Sequence, residues 1–63
     1  MTQKELLYVE DAIKHETNMI AVLEDTMNKL SDKSLRAFLK GETKKHQSMK
    51  ARLLKCLEVL IND

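Results

Sequence analysis

The sequence predicts an all-α fold, an antiparallel two-helix hairpin that dimerises into a four-helix bundle. Apolar residues recur at alternating steps of three and four along nearly the whole chain, which is the spacing of packed helices. The one stretch that interrupts this spacing is short and lies near the middle, from Leu30 to Ser34. The chain has 63 residues, no proline and one glycine. A single helical-hairpin domain spanning residues 1–63 is therefore expected.

The first helix is predicted to run from about residue 3 to about residue 30. Thr2 is followed three positions later by Glu5, which is the pattern of a capping box at a helix start. No helix-breaking residue follows before the central interruption. The row expected to face the other helix, called the seam, consists of Leu6, Val9, Ile13, Glu16, Ile20, Leu23, Met27 and Leu30.

The second helix is predicted from about residue 33 to about residue 61, after a turn at 31–33. Ser31 and Asp32 are good N-cap residues, and a turn this short makes the helices antiparallel. Gly41 costs about 1 kcal/mol inside a helix, and is either tolerated on the surface or allows another backbone to approach. The predicted seam consists of Leu35, Leu39, Glu42, His46, Met49, Leu53, Cys56 and Leu60.

A lone hairpin of this kind would leave much of its apolar surface in water. Ala12, Met19, Phe38 and Leu57 flank the seams and widen them beyond a two-helix contact. A second copy that closes a four-helix bundle is the expected partner, with a tetramer as the larger assembly. Residues 1–30 carry three basic and six acidic groups, and residues 31–63 carry eight basic and four acidic groups. This opposite charge favours packing between the two halves or between copies.

Polar residues interrupt the middle of both seams, Glu16 in the first and Glu42 and His46 in the second. In the hairpin, positions whose numbers sum to 62 or 63 lie at one level. Glu16 should therefore face His46, with Glu42 one helical turn nearer the loop. A buried carboxylate must be paired, protonated or bound to a cation. One interpretation is a polar layer that fixes register and oligomeric state without any cofactor. A second interpretation is an iron or manganese site formed by Glu16, Glu42 and His46. A third is a layer that is half-exposed because the helices splay apart.

Three parts of the chain resemble half of a ferritin-like or rubrerythrin-like protein. They are Ala-Ile-Lys-His-Glu at 12–16, Leu-Arg-Ala-Phe-Leu-Lys-Gly-Glu-Thr-Lys-Lys-His at 35–46, and Leu53. The second part is also similar to the helical hairpins of coat-F type spore-coat proteins. The resemblance implies a ferritin-like bundle with metal ligands at Glu16, Glu42 and His46. The family motif is Glu-x-x-His, whereas Thr43 stands three positions before His46 and Glu42 stands four before it.

Several classes of protein do not fit the sequence. One cysteine, Cys56, cannot form an intramolecular disulfide, and its position predicts a small buried side chain. The longest apolar run, Met19 to Leu23, is far shorter than the ~20 residues of a membrane span. The N-terminus lacks a signal-peptide core, so a cytoplasmic protein that does not bind membranes is expected.

No catalytic residues are expected, because the chain has no nucleophile–base pair and no phosphate-binding loop. The basic residues Lys33, Arg36, Lys40 and Lys44 predict a solvated face rather than a nucleic-acid site, since aromatic partners are missing. The predicted function is that of a small self-associating protein of structural or interaction type. A dimeric, ferritin-like metal-binding protein is the alternative.

Overall fold

Two α-helices make up the computed structural model, which describes residues 1–61 and, of Leu60, the backbone alone. They are α1, Gln3–Asn28, and α2, Lys33–Ile61. The helices pack against each other in an antiparallel hairpin measuring 47 × 15 × 11 Å. The predicted all-α hairpin is confirmed, and no strand occurs in residues 1–61. Neither helix combines the length and the apolar character needed to cross a bilayer over the described residues.

α1 begins at the predicted capping box. The Thr2 amide donates a hydrogen bond to the Glu5 carboxylate at 3.0 Å, and the Glu5 amide donates one to the Thr2 hydroxyl at 3.1 Å. These reciprocal bonds satisfy amide groups that have no partner inside the helix. α1 ends at Asn28, two residues before the predicted end, and Lys29 is its C-cap.

Arg36 connects the end of α1 to the start of α2 through side-chain hydrogen bonds. Its Nη1 donates hydrogen bonds to the backbone carbonyls of Met27, at 2.8 Å, and Leu30, at 3.0 Å. Carbonyls at a helix C-terminus lack partners in their own helix and attract cations, so this contact stabilises the turn. The Asp32 carboxylate caps α2 by accepting a hydrogen bond from the Leu35 amide at 2.9 Å. The sequence reasoning assigned Arg36 to a solvated face and missed its role in the turn.

The seam of α1 follows the prediction, whereas the seam of α2 does not. Every residue of the predicted α1 seam is half-buried. On α2 the residues that are buried or half-buried at seam spacing are Leu39, Thr43, His46, Lys50, Leu53 and Leu57. Thr43, Lys50 and Leu57 therefore take the places predicted for Glu42, Met49 and Cys56, although Glu42 is also half-buried.

Three residues predicted for the α2 seam are exposed, namely Leu35, Met49 and Cys56. Leu60, the fourth residue in question, lies outside the residues whose side chains are described. The row with Met49 and Cys56 is exposed because a hairpin gives α2 one neighbouring helix, and one neighbour covers one row of side chains. The prediction that Cys56 is buried was therefore wrong for the hairpin itself.

The hairpin buries very little of its apolar surface. Among the described residues no hydrophobic side chain counts as buried, and the one buried residue is Thr43, at 6% exposure. The accessible surface is 5077 Å². A compact protein of 7.3 kDa would expose about 4,200 Å² by the usual scaling with mass. One hairpin thus exposes roughly 900 Å² more than a compact domain of its size.

Candidate functional site

The polar layer at mid-hairpin contains a direct contact between the two helices. Nδ1 of His46 lies 2.5 Å from Oε2 of Glu16. Both side chains are largely covered, with 14% of Glu16 and 23% of His46 exposed. The predicted pairing across the hairpin is confirmed, at a level where the residue numbers sum to 62. Each group therefore provides the polar partner that the other needs away from water.

Glu42 is not part of this pair. Its Oε1 accepts a hydrogen bond from Nζ of Lys45 on the same helix at 3.2 Å, and 30% of its side chain is exposed. In the described part of the chain, no three His, Cys, Asp or Glu side chains form a group that could hold a metal ion. Of the three ligands predicted from the sequence, one hairpin brings together two.

Thr43 is the most covered of the residues whose burial is described, and it stands where the ferritin-like motif has its glutamate. Its hydroxyl donates a hydrogen bond to the backbone carbonyl of Leu39, one turn earlier, at 2.8 Å. Because its own helix satisfies the hydroxyl, threonine can lie in the seam without a partner from α1. The sequence reasoning missed Thr43 as a seam residue, although the spacing from Leu39 to Thr43 to His46 is the usual four then three.

A second row of side chains lies beside each seam, and all of its members are exposed except Ala12 and Glu42, which are half-buried. Each residue of this row comes one position before a seam residue, so it is turned by about 100° in the same sense on both helices. Because the helices run in opposite directions, the two rows emerge on one side of the hairpin, called the front face. The front face consists of Tyr8, Ala12, His15, Met19, Val22 and Thr26 on α1, and of Phe38, Glu42, Lys45, Met49, Arg52 and Cys56 on α2.

The front face is rich in large exposed apolar side chains. Tyr8 is 60% exposed, Phe38 is 63% exposed, and Met19, Val22 and Met49 are also among the exposed large hydrophobic residues. Met49 and Cys56 border a shallow groove of about 260 Å³ on this side. The opposite side, the back face, has a groove of about 330 Å³ bordered mainly by polar side chains, among them Glu24, Lys40, Lys44 and Gln47. The two sides of the hairpin therefore differ in chemistry.

No protein-family model, curated protein or solved structure matches the chain. The ferritin-like and coat-F resemblance stays a prediction made from the residues quoted above. The polar layer and the front face are the two features of the hairpin that bear on its function.

These two features differ in what they can do chemically. The Glu16–His46 contact gives each side chain a polar partner on the other helix, so within one hairpin it favours one register of the two helices. On the front face Glu42 pairs with Lys45, whereas the large apolar side chains are left exposed to water. These exposed apolar side chains favour association with another apolar surface, since burial of such a side chain contributes about 1.5–3 kcal/mol.

Proposed function

We propose that the chain is a structural or interaction protein that self-associates, with the front face of one copy packed on the front face of a second copy. The product is a four-helix bundle of two hairpins. The observation that supports this most directly is an exposed apolar front face on a hairpin without a buried hydrophobic side chain in its described part. A chain of 63 residues rarely folds stably without a core, a disulfide, a metal or a partner.

The amount of exposed surface also fits one partner. The hairpin exposes roughly 900 Å² more than a compact chain of its mass, while a standard interface buries about 800 Å² on each partner. A standard interface on the front face would thus remove from each hairpin about as much surface as the excess over a compact chain of its mass. The second copy offers a surface of the same chemistry, as a symmetric interface requires.

The proposal is tested by placing a charge on one face at a time. Met49, on the front face, is 44% exposed, and Leu54, on the back face of the same helix, is 45% exposed. Met49→Glu and Leu54→Glu therefore form a matched pair in exposure and helix position. Sedimentation equilibrium should give a dimer mass for the wild type and for Leu54→Glu. Met49→Glu should shift the mass toward one chain, because a carboxylate would have to be desolvated between the copies.

Two results would contradict self-association through the front face. One is a wild-type mass equal to one chain at all protein concentrations. The other is a dimer that Leu54→Glu disrupts and Met49→Glu leaves intact, because that would place the interface on the back face. Circular dichroism of each variant shows whether a change in mass accompanies a loss of helix.

A second candidate function is binding of iron or manganese, and the Glu16–His46 contact is the observation that favours it. A carboxylate and an imidazole in contact are the ligand types that these ions accept. One hairpin does not fit a di-metal centre, because Glu42 is bonded to Lys45 instead of completing the set. A site of this kind needs residues of both copies, which together supply four carboxylates and two imidazoles.

The metal candidate has its own measurement. The protein, purified without a polyhistidine tag, is loaded with Fe²⁺ or Mn²⁺ under argon, desalted, and analysed for metal per chain. Retention of one ion per chain, lost in Glu16→Gln and in His46→Gln, would support it. Failure of the wild type to retain either ion eliminates this candidate and leaves the self-association proposal intact.

A further inference from the structure

We infer that the two copies pack crossed, with α1 of each copy on α2 of its partner and both turns at the same end of the bundle. This inference rests on the proposed self-association and adds the orientation of the second copy. Two symmetric arrangements join front face to front face. In the crossed arrangement the two-fold axis runs parallel to the helices. In the other arrangement the axis is perpendicular to the helices, so α1 packs on α1 of the partner and α2 packs on α2 of the partner.

The charges of the two helices favour the crossed arrangement. α1 carries two lysines and six carboxylates, a net charge of −4, and α2 carries eight basic and two acidic groups, a net charge of +6. Crossed packing places each acidic helix against a basic one. The other arrangement places the two basic helices together, which costs free energy when like charges face each other across an interface.

The register of the hairpin then determines which residues meet. Contacts of Glu16 with His46 and of Arg36 with the Met27 carbonyl show that levels correspond where residue numbers sum to 62 or 63. A two-fold axis parallel to the helices leaves heights along the bundle unchanged. Residue n of α1 therefore lies at the level of residue 62 − n of the partner's α2, just as it does within the hairpin.

This register brings opposite charges together at the edge of the interface. Arg52 is a front-face residue at the level of position 10, and Asp11 lies a further 100° round α1 from Ala12, on the side of α1 that is turned away from α2. Neither Arg52 nor Asp11 has an ion-pair partner among the described residues of its own copy. Crossed packing places Asp11 of one copy beside Arg52 of the other, twice in the dimer.

The same register places one large side chain near a small one. Met49 lies one residue from the level of Ala12 of the other copy, and Tyr8 lies at a level between Arg52 and Cys56. Alternation of large and small residues across facing positions is what allows helices to interdigitate. Tyr8 and Cys56 come within two residues of the same level, about 3 Å along the bundle.

Disulfide trapping between two different variants tests the orientation. Wild-type protein, with Cys56 as its one thiol, is mixed with Tyr8→Cys/Cys56→Ser and oxidised mildly, so any mixed disulfide joins two chains. Crossed packing predicts a mixed dimer, identified by intact mass. Leu7→Cys/Cys56→Ser is the matched control, since Leu7 is the neighbouring exposed residue on the back face. Phe38→Cys/Cys56→Ser reports the other arrangement, in which an axis at mid-hairpin, near the level of His46, places Cys56 close to position 38 of the partner.

Each outcome decides between the arrangements. A mixed disulfide with the Tyr8 variant and none with the Leu7 or Phe38 variants supports crossed packing. Trapping with the Phe38 variant alone overturns it, as does a wild-type dimer that traps with neither variant. A wild-type protein that sediments as one chain shows instead that self-association itself is wrong, so the two failures are distinct.

A charge swap provides a second test that introduces no cysteine. Asp11→Lys and Arg52→Glu should each weaken the dimer roughly fivefold, because two exposed pairs are lost in each case. The double variant restores opposite charges and should return the dissociation constant to within about twofold of wild type. Lys40→Glu, on the back face, is the control. If the increases in the dissociation constant caused by the two single changes simply multiply in the double variant, the crossed arrangement is wrong.

Discussion

Replacing Glu16 and His46 by leucine, singly and together, should show that the two side chains act as a unit. Their contact, at 2.5 Å, joins α1 to α2 in the middle of the hairpin. Both side chains are less than one quarter exposed, so the contact is not a surface pair that solvent screens. Three variants are compared with wild type: Glu16→Leu, His46→Leu, and the double variant.

The magnitudes follow from which polar group is left without a partner. In His46→Leu the Glu16 carboxylate stays covered and unpaired, which should cost about 1–3 kcal/mol of unfolding free energy. In Glu16→Leu an imidazole is left without its partner, which costs less than an unpaired carboxylate, so the loss should be about 1 kcal/mol or less. The double variant leaves no polar group unpaired and replaces the pair with apolar contacts. Its stability should equal or exceed that of wild type, by up to about 4 kcal/mol.

Urea denaturation followed by far-ultraviolet circular dichroism measures these differences. With a slope near 1 kcal/mol per molar urea, the His46→Leu midpoint should fall by roughly 1–3 M. All proteins are compared at one concentration, because the stability of a dimer depends on concentration. Sedimentation of the double variant also tests specificity, since loss of a buried polar layer can change the number of helices that associate.

Additive changes in the free energy of unfolding would show that Glu16 and His46 act independently. If the free-energy change of the double variant equals the two single changes combined, the carboxylate and the imidazole do not depend on each other. A stable His46→Leu protein would likewise show that the carboxylate reaches water when its partner is lost. If the double variant has the same oligomer mass as wild type, the Glu16–His46 layer does not determine the oligomeric state and acts only within one hairpin.

Three further predictions concern individual positions. Thr43→Glu recreates Glu-x-x-His at the most buried position, so it should destabilise the metal-free protein by about 2–4 kcal/mol, and recovery with added Mn²⁺ in thermal denaturation would show a metal site. Gly41→Ala should raise the free energy of unfolding by about 1 kcal/mol, and with it the urea midpoint, because an added Cβ meets no atom within 4 Å in the hairpin. A lower free energy of unfolding would instead place a partner's backbone close to Gly41. Hydrogen bonds from the Thr2 backbone amide, and secondarily from its side chain, hold the pKa of Glu5 below its usual range. A lowered pKa means that this contribution to stability is present above the unfolded pKa and is lost as pH falls through the folded pKa, and in Thr2→Ala an NMR titration should show the Glu5 pKa nearer its usual value.

The elements that could be predicted from sequence are those with local physical causes. The capping box at Thr2 depends on residues within one turn, and the α1 seam follows from a regular apolar period. The Glu16–His46 contact could also be predicted, because a short turn fixes the register of an antiparallel hairpin. Arg36 could not be assigned to the carbonyls of α1 beforehand, since its role depends on how α1 ends.

The α2 seam was mispredicted because two of its members, Thr43 and Lys50, are polar residue types that do not indicate a buried position. Thr43 satisfies its hydroxyl with the Leu39 carbonyl of its own helix. Lys50 is half-buried, which a lysine tolerates by covering apolar surface with its carbon chain while the ammonium reaches water. Hydropathy counts both as polar, so the adjacent row with Met49 and Cys56 was the better match to the pattern.

The misprediction itself supports a second copy. A helix with one neighbour requires one covered row, yet α2 has two rows at the same three-and-four spacing, and the exposed row contains Phe38, Met49 and Cys56. α1 has an exposed row at the equivalent offset, with Tyr8 and Met19. Both exposed rows precede their seams by one residue, which places them on one side of an antiparallel hairpin. Two unrelated surface features would have no reason to share that offset, whereas a bundle of four helices requires it, because each helix then contacts two neighbours.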